Sequence, residues 1–180
     1  ATVDLAQNAS GGSQYATNRV LGYMPQDLGA VTVGGSYFVG GPAIELTASG
    51  ADIWSTADQG YMALRPVNGD FDARVRVIGL TPADDITKAG LMARESTNDN
   101  SQTVHVLAEP LGGRNETQMG IRYATGTNTV GVSNKVPSNI PDAWVRLVRE
   151  GDAFSSYSSS NGVDWLLIGT TNHTFSATLL

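Results

Sequence analysis

The 180-residue sequence contains no cysteine, which removes disulfides, thiolate nucleophiles and thiolate metal sites from consideration. Lysine is almost absent, with Lys88 and Lys135 its only representatives. The formal charge of −6 and a pI near 4.7 argue against a nucleic-acid partner, because phosphate-backbone affinity rests on clustered Lys and Arg. No run of about 18 apolar residues is present and no basic-then-apolar leader opens the chain, so the sequence predicts neither a membrane span nor an export signal. It reads as a segment of a longer precursor. Catalytic signatures are missing too: there is no Gly-x-Ser-x-Gly elbow, no phosphate-cradling Walker loop and no His-Glu-x-x-His helix.

What is present points to strands. Charged residues make up only 16% of the chain, whereas glycine is abundant at 21 residues, a balance that favours short strands and tight turns over helices. Residues 1–26 lack a sustained period and are read as a linker or N-terminal extension, with residues 27–180 forming the folded domain. Phe71-Asp72-Ala73-Arg74-Val75-Arg76-Val77 alternates, which puts Phe71, Ala73, Val75 and Val77 on a buried face and Asp72, Arg74 and Arg76 on the other. Similar patterns recur at 103–108, 119–123 and 144–149, at a spacing that predicts an antiparallel sandwich. Asn161-Gly162 predicts a hairpin, since both residues tolerate the positive φ angles of a type I′ turn. One helical turn is expected at 82–87.

Several separated segments agree with this pattern in order: Ala51-Asp52-Ile53-Trp54 with Asp58-Gln59, Lys88-Ala89-Gly90-Leu91-Met92-Ala93-Arg94-Glu95-Ser96, Trp144-Val145-Arg146-Leu147-Val148-Arg149-Glu150-Gly151, and the run from Tyr157 to Trp165. Together they resemble the concanavalin A-like, laminin-G-like jelly-roll domains of the DUF1349 family, modules of large bacterial secreted and surface proteins. The resemblance implies an all-β antiparallel jelly-roll sandwich, located outside the cell or on its surface. Such domains carry one more strand after the Trp165 hairpin, so the chain is expected to lack its last strand. The vacant slot invites residues 175–180, the N-terminal segment around residues 20–23, or another molecule by strand addition.

The same resemblance suggests where a ligand would bind. Trp54, Trp144 and Trp165 fall in its motifs and are expected as core anchors, the alternative being an exposed platform for sugar rings. Arg74 and Arg76 on one strand and Arg94, His105, Arg122 and Arg146 on four others, with Tyr123, are expected to line one sheet as a ladder presenting guanidinium groups to the carboxylates or sulfates of a glycan. The competing reading is cross-strand pairing with Asp72, Glu95, Glu109 and Glu150. Laminin-G-like sandwiches often hold calcium at a loop rim, and the candidate ligands are Asp84, Asp85 and Asp99, with Asp52, Asp58, Asn98 and Asn100 nearby. The 158–165 run is also similar to the structural Asp-box hairpin of sialidases, with Ser160 in place of its aspartate. The expected function is a non-catalytic carbohydrate-binding module for a glycan or polysaccharide, packed among other domains of its parent protein. A structural or adhesive module that self-associates is the alternative, and a glycosidase or lyase sandwich comes third.

Overall fold

The computed structural model describes residues 2–4, 23–40, 43–132 and 135–180. The strands of the first half are β1 (Thr2–Asp4), β2 (Met24–Leu28), β3 (Ser36–Gly40), β4 (Ala43–Thr47), β5 (Ile53–Trp54), β6 (Ala57–Asp58), β7 (Gly60–Leu64), β8 (Val67–Asn68) and β9 (Phe71–Gly79). They are followed by β10 (Ala89–Arg94), β11 (Thr103–Glu109), β12 (Glu116–Arg122), β13 (Val130–Gly131), β14 (Val136–Pro137), β15 (Ala143–Glu150), β16 (Ala153–Ser159), β17 (Leu166–Asn172) and β18 (Thr178–Leu179). No helix among the described residues is long and apolar enough to cross a membrane. The helical turn expected at 82–87 is a hydrogen-bonded turn from Thr87 N to Asp84 O, and a 3-10 turn lies instead at Leu111–Gly113.

The protein is an all-β antiparallel sandwich. A seven-stranded sheet in the order β17-β16-β15-β9-β1-β4-β3 faces a five-stranded one, β10-β11-β12-β13 with β14 also on β12. Their inner faces enclose a core of Val75, Val104, Val106, Met119, Ile121, Val145, Leu147 and Phe154, each at most 1% exposed. Burying a large aliphatic or aromatic side chain contributes about 1.5–3 kcal/mol, so this layer is the main force joining the sheets. The alternation predicted for residues 71–77 holds, with Val75 and Val77 fully buried and Phe71 packed on the core. In β15 the inward positions are Ala143, Val145, Leu147 and Arg149.

The ends of the chain differ from expectation. Thr2–Asp4, inside the stretch read as a linker, forms β1 and inserts between β9 and β4, pairing antiparallel with both. Residues 24–26 also enter a strand, since β2 pairs with β7. Residues 20–22, proposed as the inserted segment, lie outside the described residues. At the other end, residues 175–180 do reach a sheet edge. Leu180 exchanges two backbone bonds with Arg94 at the end of β10, β18 pairs with β8, and Phe175 and Leu179 join the core. Arg149 holds this tail from inside, its Nε donating to Gly151 O at 2.9 Å and its Nη1 to Ser176 O at 2.9 Å, with Nη2 reaching Phe175 O.

The hairpin of β16 and β17 forms, but not through a two-residue type I′ turn. Gly162 has φ +71° whereas Asn161 does not enter the positive-φ region. Side chains close a wider loop: Ser159 Oγ accepts from the Asn161 and Gly162 N–H groups, and Asn161 Oδ1 accepts from those of Val163 and Asp164. Gly162 is required twice, by its φ and because a Cβ there would lie 2.9 Å from the Trp144 ring.

Candidate functional site

The expected ligand-binding residues fall into three places. Arg94 ends β10, Thr103 begins β11 and Arg122 ends β12, and the register sets the three side by side. The two arginines therefore share the outer face of the five-stranded sheet, as a ladder requires, yet both are 0% exposed. The β5–β6 hairpin lies over them and inserts Asp58, itself 0% exposed. Arg122 binds Asp58 through both ends of its fork, while Arg94 Nη1 reaches Asp58 Oδ2 at 3.2 Å.

One carboxylate cannot neutralise two guanidinium groups, and carbonyl dipoles supply the rest. Arg94 Nε donates to Ser96 O at 2.6 Å and its Nη2 to Asn98 O. Arg122 donates to the carbonyls of Trp54, Ser55, Asp99 and Ser101 at 3.0–3.3 Å. Burial pushes the Arg94 guanidinium below its ordinary value, and the Asp58 carboxylate opposes that shift. With their donors directed inward, these arginines close a loop junction instead of facing a glycan.

His105 lies beside them at 0% exposure, between the Trp54 ring, whose centroid is 5.7 Å away, and the bare backbone of Gly120. A Cβ at Gly120 would lie 2.3 Å from His105 Nε2, so only glycine fits opposite this imidazole. Neither ring nitrogen has a hydrogen-bond partner among the described residues. Burial, then the charges of Arg122, Lys88 and Arg94, lower its pKa to about 3. The imidazole is thus neutral and sealed, which corrects its placement in a ligand ladder. Further along the same face, Glu109 is held by Lys135 at 2.5 Å, and Lys88 by Asp52 at 2.6 Å.

Tyr123 is 42% exposed but turns to the sandwich edge, its hydroxyl 2.9 Å from Thr171 Oγ1 and its ring edge-on to His173. The calcium candidates do not converge. Asp84 Oδ1 accepts the N–H of Ile86 within its own turn, the backbone O of Asp85 accepts from Leu111, and that of Asp99 serves Asp58 and Arg122. Among the described residues no group of three or more acidic or His side chains is placed to hold a metal ion. The residues present therefore do not fit a calcium cage.

Arg146 is in different surroundings, on the outer face of the seven-stranded sheet. Its Nε and Nη2 bind the two Asp72 oxygens at 2.7 and 2.5 Å. Hydrogen bonding to Asp72 holds its pKa above the ordinary value. The guanidinium lies over the Tyr157 ring at 5.1 Å and the Trp165 ring at 5.7 Å, and Trp165 stands perpendicular to Trp144 with centroids 6.5 Å apart. Trp144 in turn carries Arg76 at 5.9 Å. Trp144 and Trp165 are therefore half-buried members of an outer aromatic face, which corrects their expected place in the core. The reason is parity: Trp144 alternates with the inward Ala143 and Val145. On the side of Arg146 toward Val148 and Glu150 lies a shallow, open depression of about 310 Å³, bordered also by Phe71 and Asp72.

No family model and no curated protein matches the chain. Among solved structures, it is similar to the crystal structure of a functionally unknown protein from Saccharomyces cerevisiae, at 16% identity and a TM-score of 0.64, covering 88% of this chain and 83% of the other. That likeness concerns the fold.

Proposed function

We propose that this domain is a non-catalytic carbohydrate-binding module of a larger secreted or cell-surface protein, and that its site is the outer face of the seven-stranded sheet around Arg146. One observation carries the reading: a guanidinium doubly bonded to Asp72 and stacked over Tyr157 and Trp165, with Trp144 alongside. Sugar rings offer apolar C–H faces to aromatic rings and hydroxyls to a paired donor and acceptor, and this face provides both kinds of partner. The resemblance to DUF1349 modules favours the same setting. A non-catalytic role is supported by the commitment of Asp58 to two guanidinium groups and by the sealed, neutral His105. A glycan array probed with the wild-type domain and with Trp165→Ala tests it: selective binding that the variant loses supports the reading, and binding unchanged by the variant moves the site elsewhere.

A second reading, self-association by strand addition, is favoured by β17. This edge strand carries no charged residue and leaves Leu166 and Leu167 56% and 50% exposed. Light scattering separates the two, since a ligand-free dimer that Leu167→Lys dissociates supports assembly, and a monomer at all concentrations removes it.

A further inference from the structure

Three registered rows cross the outer face of the seven-stranded sheet. Ser155, Val148 and Asp72 form the first, Tyr157, Arg146 and Arg74 the second, and Ser159, Trp144 and Arg76 the third. Arg74 is thus directly opposite Arg146, a like-charge cross-strand pair that costs stability unless an anion lies between or beside the two groups. The nearby carboxylates are already engaged: Asp72 accepts from Nε and Nη2 of Arg146, and Asp142 pairs with Arg76 at 2.6 Å. Among the described residues Arg74 has no ion-pair partner, and the buried Nε atoms of Arg74 and Arg76 have no acceptor. Arg74 is thus the guanidinium of this face that no carboxylate binds among the described residues, although Glu150 lies on the same face at the far end of β15.

We infer that the ligand of this face is an acidic polysaccharide, with Arg74 as the receptor for its carboxylate or sulfate group. This rests on the carbohydrate-binding reading and adds the charge class to it. The middle row supplies the geometry. Tyr157, Arg146 and Arg74 stand on three adjacent strands and therefore span about 10 Å, two interstrand spacings, the extent of two linked sugar rings. One ring packs beside the cluster of Tyr157, Arg146 and Trp165, Arg146 and Asp72 meet its hydroxyls, and the acidic group of the next ring reaches the Nη donors of Arg74, whose Nε is buried. Arginine suits this position because its planar fork binds an oxyanion through two parallel hydrogen bonds.

The test measures binding of wild type and Arg74→Gln to three polymers: polygalacturonate, its fully methyl-esterified form, and dextran sulfate, which carries sulfate and no carboxylate. The expected result is binding to at least one acidic polymer that weakens with added salt, at least tenfold weaker binding by Arg74→Gln, and no comparable affinity for the ester. The carboxylate and sulfate arms distinguish the two anion types. Because the variant removes a like-charge contact, its melting temperature should hold or rise, which separates lost recognition from lost folding. Should Arg74→Gln fail to fold, Arg74→Lys keeps the charge without the fork and should give a partial loss. Equal binding of ester and acid, indifferent to Arg74→Gln, overturns the inference while the carbohydrate reading stands. Absence of binding to all three polymers, together with a blank glycan array, overturns both.

Discussion

Asp58 and Arg122 meet fork to fork in a place with no solvent: Nη2 lies 2.7 Å from Oδ1, Nη1 lies 2.9 Å from Oδ2, and both side chains are 0% exposed. Two charges buried this way contribute little by being paired, but a great deal is lost if one partner disappears. Asp58→Ala would leave Arg94 and Arg122 facing each other without a counter-charge, and should destabilise the domain by about 3–5 kcal/mol. Urea unfolding gives the number, and a loss under about 1 kcal/mol would mean that water enters the junction freely.

His105 sets a pH dependence whose sign is fixed. Its folded pKa is lowered to about 3 from the ordinary 6.5 of an imidazole, so the unfolded chain takes up a proton first as the solution is acidified. The contribution is fully present above about pH 6.5 and is lost as the pH falls toward 3, with a limiting slope of about 1.4 kcal/mol per pH unit. Between pH 7 and 4.5 the denaturant midpoint of wild type should fall relative to that of His105→Leu, which lacks this slope. Parallel curves for the two proteins would contradict a sealed, neutral imidazole.

Trp165→Ala should leave the fold nearly intact. The ring forms a perpendicular aromatic pair and a cation–π contact on the outside of the sheet, interactions that together amount to about 1–2 kcal/mol. Deleting a core ring such as Phe154, at 0% exposure, should instead cost about 3–5 kcal/mol. Equal melting losses for Trp165→Ala and Phe154→Ala would return the tryptophan to the core.

Arg149→Met should release the C-terminal tail. The guanidinium bonds carbonyls of Phe175 and Ser176 from within the sandwich, and hydrogen bonds to a charged group contribute about 1.5–3 kcal/mol. Carboxypeptidase digestion should trim the variant faster than wild type, whereas equal resistance would show that Phe175 and Leu179 anchor the tail unaided.

How far the sequence carries the structure depends on where the deciding contact comes from. Alternation in residues 71–77 and 143–150 specifies which side chains point inward, Arg149 included, because the period is a property of the strand itself. The same parity puts Trp144 outside, and the core placement drawn from motif position goes against it. Sharing of one sheet face by Arg94 and Arg122 is legible too. Their burial is not, since the cover is Asp58, 36 and 64 positions away, on a hairpin whose docking no local pattern encodes. Arg74 reads from sequence as a member of the arginine ladder; its standing opposite Arg146 depends on the register between β9 and β15.

The three-residue β1 gives the domain a mechanical polarity. It is gripped on both sides, by β4 and β9, so tension applied at the N-terminus must shear two ladders at once and would part the large sheet through its interior. Tension at the C-terminus first meets the two-residue β18 and the Leu180–Arg94 bridge, which lie ahead of the Arg149 clasp and the Phe175 anchor. A module tethered in series within a longer chain would therefore yield first at its C-terminal end, with the face around Arg146 still assembled.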